Sequence, residues 1–148
     1  MAAGARHRAR VVALQALFEA DSSQHPALEA LGRLAEEARL PKAAAAFAED
    51  LIKSVLAQQD ETDRVIARAA PAWPVEQLPA VDRNILRLAI TEMLGDNGTP
   101  VPAVINEAVE LAKSFGSDSS ARFVNGVLGA IERQRSELLE ARGAERRG

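Results

Sequence analysis

Pro79–Leu94 reads PAVDRNILRLAITEML. Its apolar residues Val81, Ile85, Leu86, Leu88, Ala89, Ile90, Met93 and Leu94 recur at helical spacing, yet they cover more than one face. A helix that is apolar on several sides has to be buried on several sides. The stretch from Pro79 through Met93 therefore predicts a central helix around which the rest of the chain packs.

Moving outward on the C-terminal side, Gly95 to Pro102 reads as a loop. From Ala103 to Phe115 the positions Val104, Ile105, Ala108, Val109, Leu111, Ala112 and Phe115 return at helical spacing. Gly116 fits a left-handed C-cap, and Ser117 or Asp118 fits an N-cap for the next helix. That helix carries Phe123, Val124, Val127, Leu128 and Ile131. Beyond about Leu139, residues 140–148 show no apolar stripe and are expected to fray or be disordered.

On the N-terminal side, Pro71-Ala72-Trp73-Pro74 must break helix, because proline removes a donor and constrains its predecessor. Before it, Asp60 to Ala69 forms one helix, with Val65 and Ile66 inward. Pro41 opens another, whose stripe is Phe47, Leu51, Ile52, Val55 and Leu56. His25-Pro26 opens a helix to about Arg39 through Leu28, Leu31 and Leu34. The first helix runs from about residue 6 to 20, ended by Asp21-Ser22-Ser23, with Leu14, Leu17 and Phe18 inward. No internal repeat is evident. The proline break divides a helical half ending near residue 70 from one starting near 75, within one domain of residues 1–139.

Composition agrees with helix throughout. The 148 residues include 30 alanines and 16 leucines but only 3 threonines and no tyrosine. Alanine and leucine favour helix, whereas strands want β-branched and aromatic residues. A chain of this length buries roughly 70% of its unfolded surface and needs no covalent staple. No run reaches the ~18 apolar residues of a membrane span. Val11–Phe18 is broken by Gln15 and soon meets Glu19 and Asp21, so it reads as the start of a core helix and not as a signal peptide.

The absence of cysteine removes disulfides, thiolate metal sites and cysteine nucleophiles, and suits a reducing cytoplasm. With only His7 and His25, a histidine-rich metal centre is excluded and a Ser-His-Asp relay is unfavoured. Glu107 and Glu110 lack any Glu-x-x-His partner and read as a solvated helix face. Gly126 and Gly129 lie inside a helical pattern, where each costs about 1 kcal/mol relative to alanine. Close approach of another helix explains them best, close approach of a ligand next best. Asn106 and Asn125 read as hydrogen-bonded structural groups. Trp73 reads as a lid on the core, with a base-stacking platform as the alternative.

Charge is uneven. The net charge is −3, but residues 1–18 carry Arg6, Arg8 and Arg10 and no acid, leaving −6 on the remainder. A basic tip on an acidic body does not suit gripping nucleic acid over a broad face, but it can hold RNA at one edge. Arg6 and Arg10 stand four apart, on one helix face, and can reach adjacent phosphates. A solubilising tip is the equal alternative. Phe123 is either core, as periodicity prefers, or faces an RNA base.

Four segments carry a resemblance: ARHRARVVALQALF (Ala5–Phe18), LPAVDRNILRLAITE (Leu78–Glu92), PAVINEAVELAKSFG (Pro102–Gly116) and SSARFVNGVL (Ser119–Leu128). In order and spacing they resemble the NusB family of bacterial transcription antitermination factors, over residues 5 to about 132. The resemblance implies an all-α fold of about seven helices, in two three-helix subdomains packed crosswise. It implies binding of boxA RNA in ribosomal RNA leader transcripts together with NusE, a small-subunit ribosomal protein, within a complex on RNA polymerase. It implies no enzymatic activity, cofactor, metal or membrane. Similar domains occur fused to an RNA methyltransferase, for which 148 residues leave no room.

Residue by residue, the family's arginine-rich start falls on Arg6, Arg8 and Arg10 as phosphate contacts. His7 departs from the arginine common there, which weakens that contact. The family's RNA-facing phenylalanine is Phe123, with Arg122 beside it, which reverses the preference from periodicity. Lys113 adds a phosphate contact. The NusE-facing surface includes Phe18, which replaces a tyrosine of some members, with Glu76 and Asp82. An acidic patch there suits a basic ribosomal protein. The rival function is a helical protein-interaction module, or a homodimer of the kind some members form, with no direct RNA role.

Overall fold

The computed structural model describes residues 1–147. Among them are seven α-helices and no strand: α1 Ala3–Ser23, α2 Ala27–Glu37, α3 Lys42–Ala69, α4 Ala80–Leu94, α5 Val101–Phe115, α6 Ser120–Arg133 and α7 Arg135–Arg147, with a 3-10 turn at Val75–Gln77. The helices α1, α2 and α3 pack on one another, and so do α4, α5 and α6. The two trios meet where α4 lies against α1 and α3. Ile85, Leu86, Ile90 and Met93 are fully buried, so the stretch that read as central is central.

Prolines set the helix starts. Pro26, Pro41, Pro79 and Pro100 each stand immediately before a helix, with extended ψ. Their locked φ positions the first turn, and their carbonyls accept the first helical bonds from Ala30, Ala45, Arg83 and Val104.

Two expected boundaries are absent. The third and fourth helices of the sequence reading are one helix, α3, of 28 residues and about 42 Å. Ala57-Gln58-Gln59 contains no breaker. The gap in its apolar stripe is filled by Gln58 and Glu61, which meet Arg142 of α7. The C-terminal segment, expected to fray, is helix α7 through Arg147; Gly148 lies outside the described residues. No α7 residue is buried, and Leu138 and Leu139 only lean on the core. Its anchors are polar. Arg135 Nε donates to the Met93 carbonyl and Arg142 Nη1 to the Leu94 carbonyl, each at 2.7 Å. These are carbonyls of α4's last turn, which have no partner within their own helix. Arg142 Nε also donates to Glu61 Oε1 at 3.0 Å. Arg142→Ala is expected to cost about 1–3 kcal/mol, because it strands a carbonyl and a carboxylate. Arg146→Ala, at an exposed position, should stay within about 0.5 kcal/mol. Paired urea titrations check both values.

Three local expectations are corrected. Gly116 has φ −93°, not the left-handed value of a C-cap. A Cβ there would lie 2.5 Å from Cβ and Oγ of Ser120 and 2.8 Å from the Ala112 carbonyl, so glycine is required by close approach. Gly126 has open space where a Cβ would stand, and Gly129 meets only the end of Arg133, so no helix packs against either. Trp73 is 59% exposed and closes nothing, because Val75 and Leu78 cover the core at that point.

Candidate nucleic-acid interface

The arginines of α1 have three different surroundings. Arg10 is buried, and it is held by both oxygens of Glu92: Nε to Oε2 at 2.9 Å and Nη2 to Oε1 at 2.7 Å. Burial disfavours the Arg10 charge. The hydrogen bond and charge of Glu92, with the charge of Glu107 added, outweigh that, and the guanidinium is held above its ordinary pKa. Asn97 Nδ2 donates to Glu92 Oε1 at 2.9 Å, and Arg10 Nη2 also reaches Thr99 Oγ1 at 3.3 Å. Arg6, half-buried, donates to the same Thr99 hydroxyl at 3.2 Å. Both guanidinium carbons stand over the Phe47 ring, at 5.3 Å for Arg6 and 5.1 Å for Arg10.

Arg6 and Arg10 do share a helix face, as their spacing implies, but that face turns inward. Arg10 departs from the expected phosphate contact because Glu92, 82 residues away, already neutralises it in the core. Arg8 differs. It is exposed, and only Nη2 is engaged, on the Ala38 carbonyl at 2.7 Å. His7 Nδ1 lies 2.8 Å from Glu107 Oε2, which ties the start of α1 to the middle of α5. Glu107 is thus half-buried and bonded, where a solvated face was expected.

From Glu107 the surface continues along α5. Lys113, six residues or about 9 Å further, is exposed. Its 3.5 Å contact with Glu110, both side chains 60% exposed, is a weak surface pair that leaves the ammonium accessible. Next comes α6, whose start is fixed by a small polar cluster. Ser120 Oγ donates to Asp82 Oδ1 at 2.7 Å and accepts from the Ser117 backbone N–H at 2.9 Å. Phe123 is half-buried, one part against the core and the rest open. Arg122, Asn125 and Gly126 are exposed, and with Gly129 and Arg133 they stand at i, i+3, i+4, i+7 and i+11 on one side of α6. Asn106 and Asn125, expected as hydrogen-bonded structural groups, are both exposed. A Cβ at Gly126 would meet open space, so no contact within the fold requires glycine there.

The expected partner-facing residues divide as well. Phe18 is 41% exposed and Glu76 is exposed on the 3-10 turn. Asp82, expected to be open to a partner, is instead 6% exposed and bonded to Ser120, so it positions the start of α6. Asp21 at the end of α1 accepts from Arg83 Nη2 at 3.0 Å and Asn84 Nδ2 at 2.8 Å, clamping α1 to the start of α4. Among the described residues no acidic, histidine or cysteine cluster could hold a metal ion, and no helix is long and apolar enough to cross a membrane.

The sequence model of the NusB family matches residues 7–133, which takes in all of the residues just described except Arg6. The chain belongs to the NusB family. A relative named transcription antitermination protein NusB from Roseiflexus castenholzii is 50% identical over 131 residues, covering 87% of this chain and 92% of the relative. One of the same name from Dehalococcoides mccartyi is 45% identical over 137 residues, covering 93% and 96%. Among solved structures, T. maritima NusB superposes with a TM-score of 0.83 at 32% identity, covering 91% of this chain and 96% of that one. A crystal structure of antitermination factors NusB and NusE in complex with dsRNA gives 0.81 at 27% identity, covering 89% and 98%. The NusB match ends before α7.

Proposed function

We propose that this chain is a cytoplasmic, non-catalytic transcription antitermination factor that binds boxA RNA of ribosomal RNA leader transcripts together with NusE and joins the antitermination complex on RNA polymerase. The observation that carries the reading is its likeness, over nearly the whole chain, to a NusB solved with NusE and dsRNA. The surface supports it. Arg8, Lys113 and Arg122 are accessible cations on α1, α5 and α6, of which α5 packs on α6 and α1 is tied to α5 through His7 and Glu107, with the open side of Phe123 beside Arg122. These four residues make the RNA contacts, with Arg6 at the edge and Arg10 acting only to position α1. Phosphates meet the cations, which sets the register, and a base stacks on Phe123. Phe18 and Glu76 belong to the NusE side.

The acidic remainder makes the chain a weak RNA binder by itself, and a basic partner supplies the missing positive surface. Labelled boxA RNA is titrated with and without NusE while solution mass is measured. Binding that tightens at least tenfold with NusE, in a complex with one copy of each protein, is expected. A homodimer that binds neither NusE nor RNA would favour the interaction-module reading instead.

A further inference from the structure

We infer that Trp73 is an anchor by which this chain holds NusE, an inference that rests on the NusE reading above. Trp73 is the only tryptophan and is 59% exposed, the most exposed large apolar side chain among the described residues. Its loop is rigid. Pro71 and Pro74 flank it with locked φ angles. Arg83 Nη1 faces the carbonyls of Val75, Glu76 and Leu78 at 3.5, 3.3 and 3.0 Å, while Val75 and Leu78 are buried beneath. The other end of the same guanidinium grips Asp21, one turn beyond exposed Phe18. A large ring presented on a fixed platform loses little freedom on binding, and such tryptophans recur as the residues that dominate protein interfaces.

Charge decides between a protein and RNA as occupant. Glu76, exposed, adjoins the ring in the chain; across the Arg83 clamp Glu19 is paired with Arg33 and Asp21 with Arg83, and the exposed bases are Arg33 and Arg68. Arg83 is turned inward onto carbonyls and Asp21. Of the exposed cations of the RNA side, Arg8 is thirteen residues along α1 from Asp21, about 20 Å away, and Arg122 stands two residues beyond the Ser120 that bonds Asp82. Beside the ring itself the exposed charge is the carboxylate of Glu76, which suits a basic protein surface better than phosphate.

The single tryptophan also supplies the probe. The full chain is labelled with 5-fluorotryptophan, and its one fluorine resonance is followed on adding NusE or boxA RNA. NusE affinity is measured for wild type, Trp73→Ala and Leu56→Ala, the last an exposed apolar position on α3. Expected are a resonance shift with NusE and none with RNA alone. Trp73→Ala should lose about thirtyfold or more in NusE affinity, with an unchanged melting temperature, and Leu56→Ala should bind normally. If wild type binds NusE while Trp73→Ala binds equally well, or if RNA alone moves the resonance, the anchor assignment is overturned and the NusE reading stands. If wild type does not bind NusE at all, the NusE reading fails and the anchor with it.

Discussion

Glu92→Ala is expected to cost about 3–5 kcal/mol of folding stability, the largest effect of any single carboxylate truncation in this chain. The Arg10 and Glu92 side chains are 5% and 2% exposed, so neither is screened by water. Removing the carboxylate leaves a buried guanidinium with Thr99 and the Phe47 ring as its remaining partners. It also removes the acceptor for Asn97, in the loop that leads into α5. Glu92→Gln keeps shape and one acceptor and should cost less. The double variant Arg10→Leu, Glu92→Met should recover most of the loss, since well-packed apolar groups replace buried ion pairs at little cost. Urea midpoints at constant slope give these differences. A loss below about 1 kcal/mol for Glu92→Ala would mean that water reaches the pair and that Arg10 is available at the surface.

The same pair shows what the sequence withheld. Spacing put Arg6 and Arg10 on one face, but which way the face turns depends on a residue 82 positions away. A signal was present. Arg87 and Glu92 are charged residues inside a stretch that read as buried on several sides, and a buried charge demands a partner. Arg87 finds Asp63 through two 2.9 Å bonds, and Glu92 finds Arg10. Asking where those two charges go would have marked Arg10 as structural. Asp82 raised no such signal, because at a helix start an acid is equally at home in solvent. Its burial follows from Ser120, 38 residues on. The helix starts at Pro26, Pro41 and Pro79 and the buried faces of α4, α5 and α6 were legible because both are local properties, whereas the start of α5 after Pro100 was read as loop through Pro102. The length of α3 and the order of α7 were not, since each depends on the other through Arg142, Glu61 and Gln58.

Replacing Arg8, Lys113 and Arg122 together by glutamine is expected to flatten the salt dependence of RNA binding by about two units of log affinity per log salt. Three phosphates on a single strand contribute about −0.7 each. Between ~50 and ~200 mM salt, a slope of that size corresponds to a factor of about sixteen in affinity. The loss should be similar for boxA and for unrelated RNA, because phosphate contacts position the strand without reading it. All three residues are exposed, so folding stability should change by less than about 1 kcal/mol. Arg10→Leu paired with Glu92→Met supplies the contrast, with the slope left near wild type despite the loss of an arginine from the same helix. Measured with NusE present, an unchanged slope in the triple variant combined with a flattened one in the Arg10 variant would reverse the assignment. The phosphate path would then run through an opened Arg10–Glu92 pair, and the exposed cations of α5 and α6 would be bystanders.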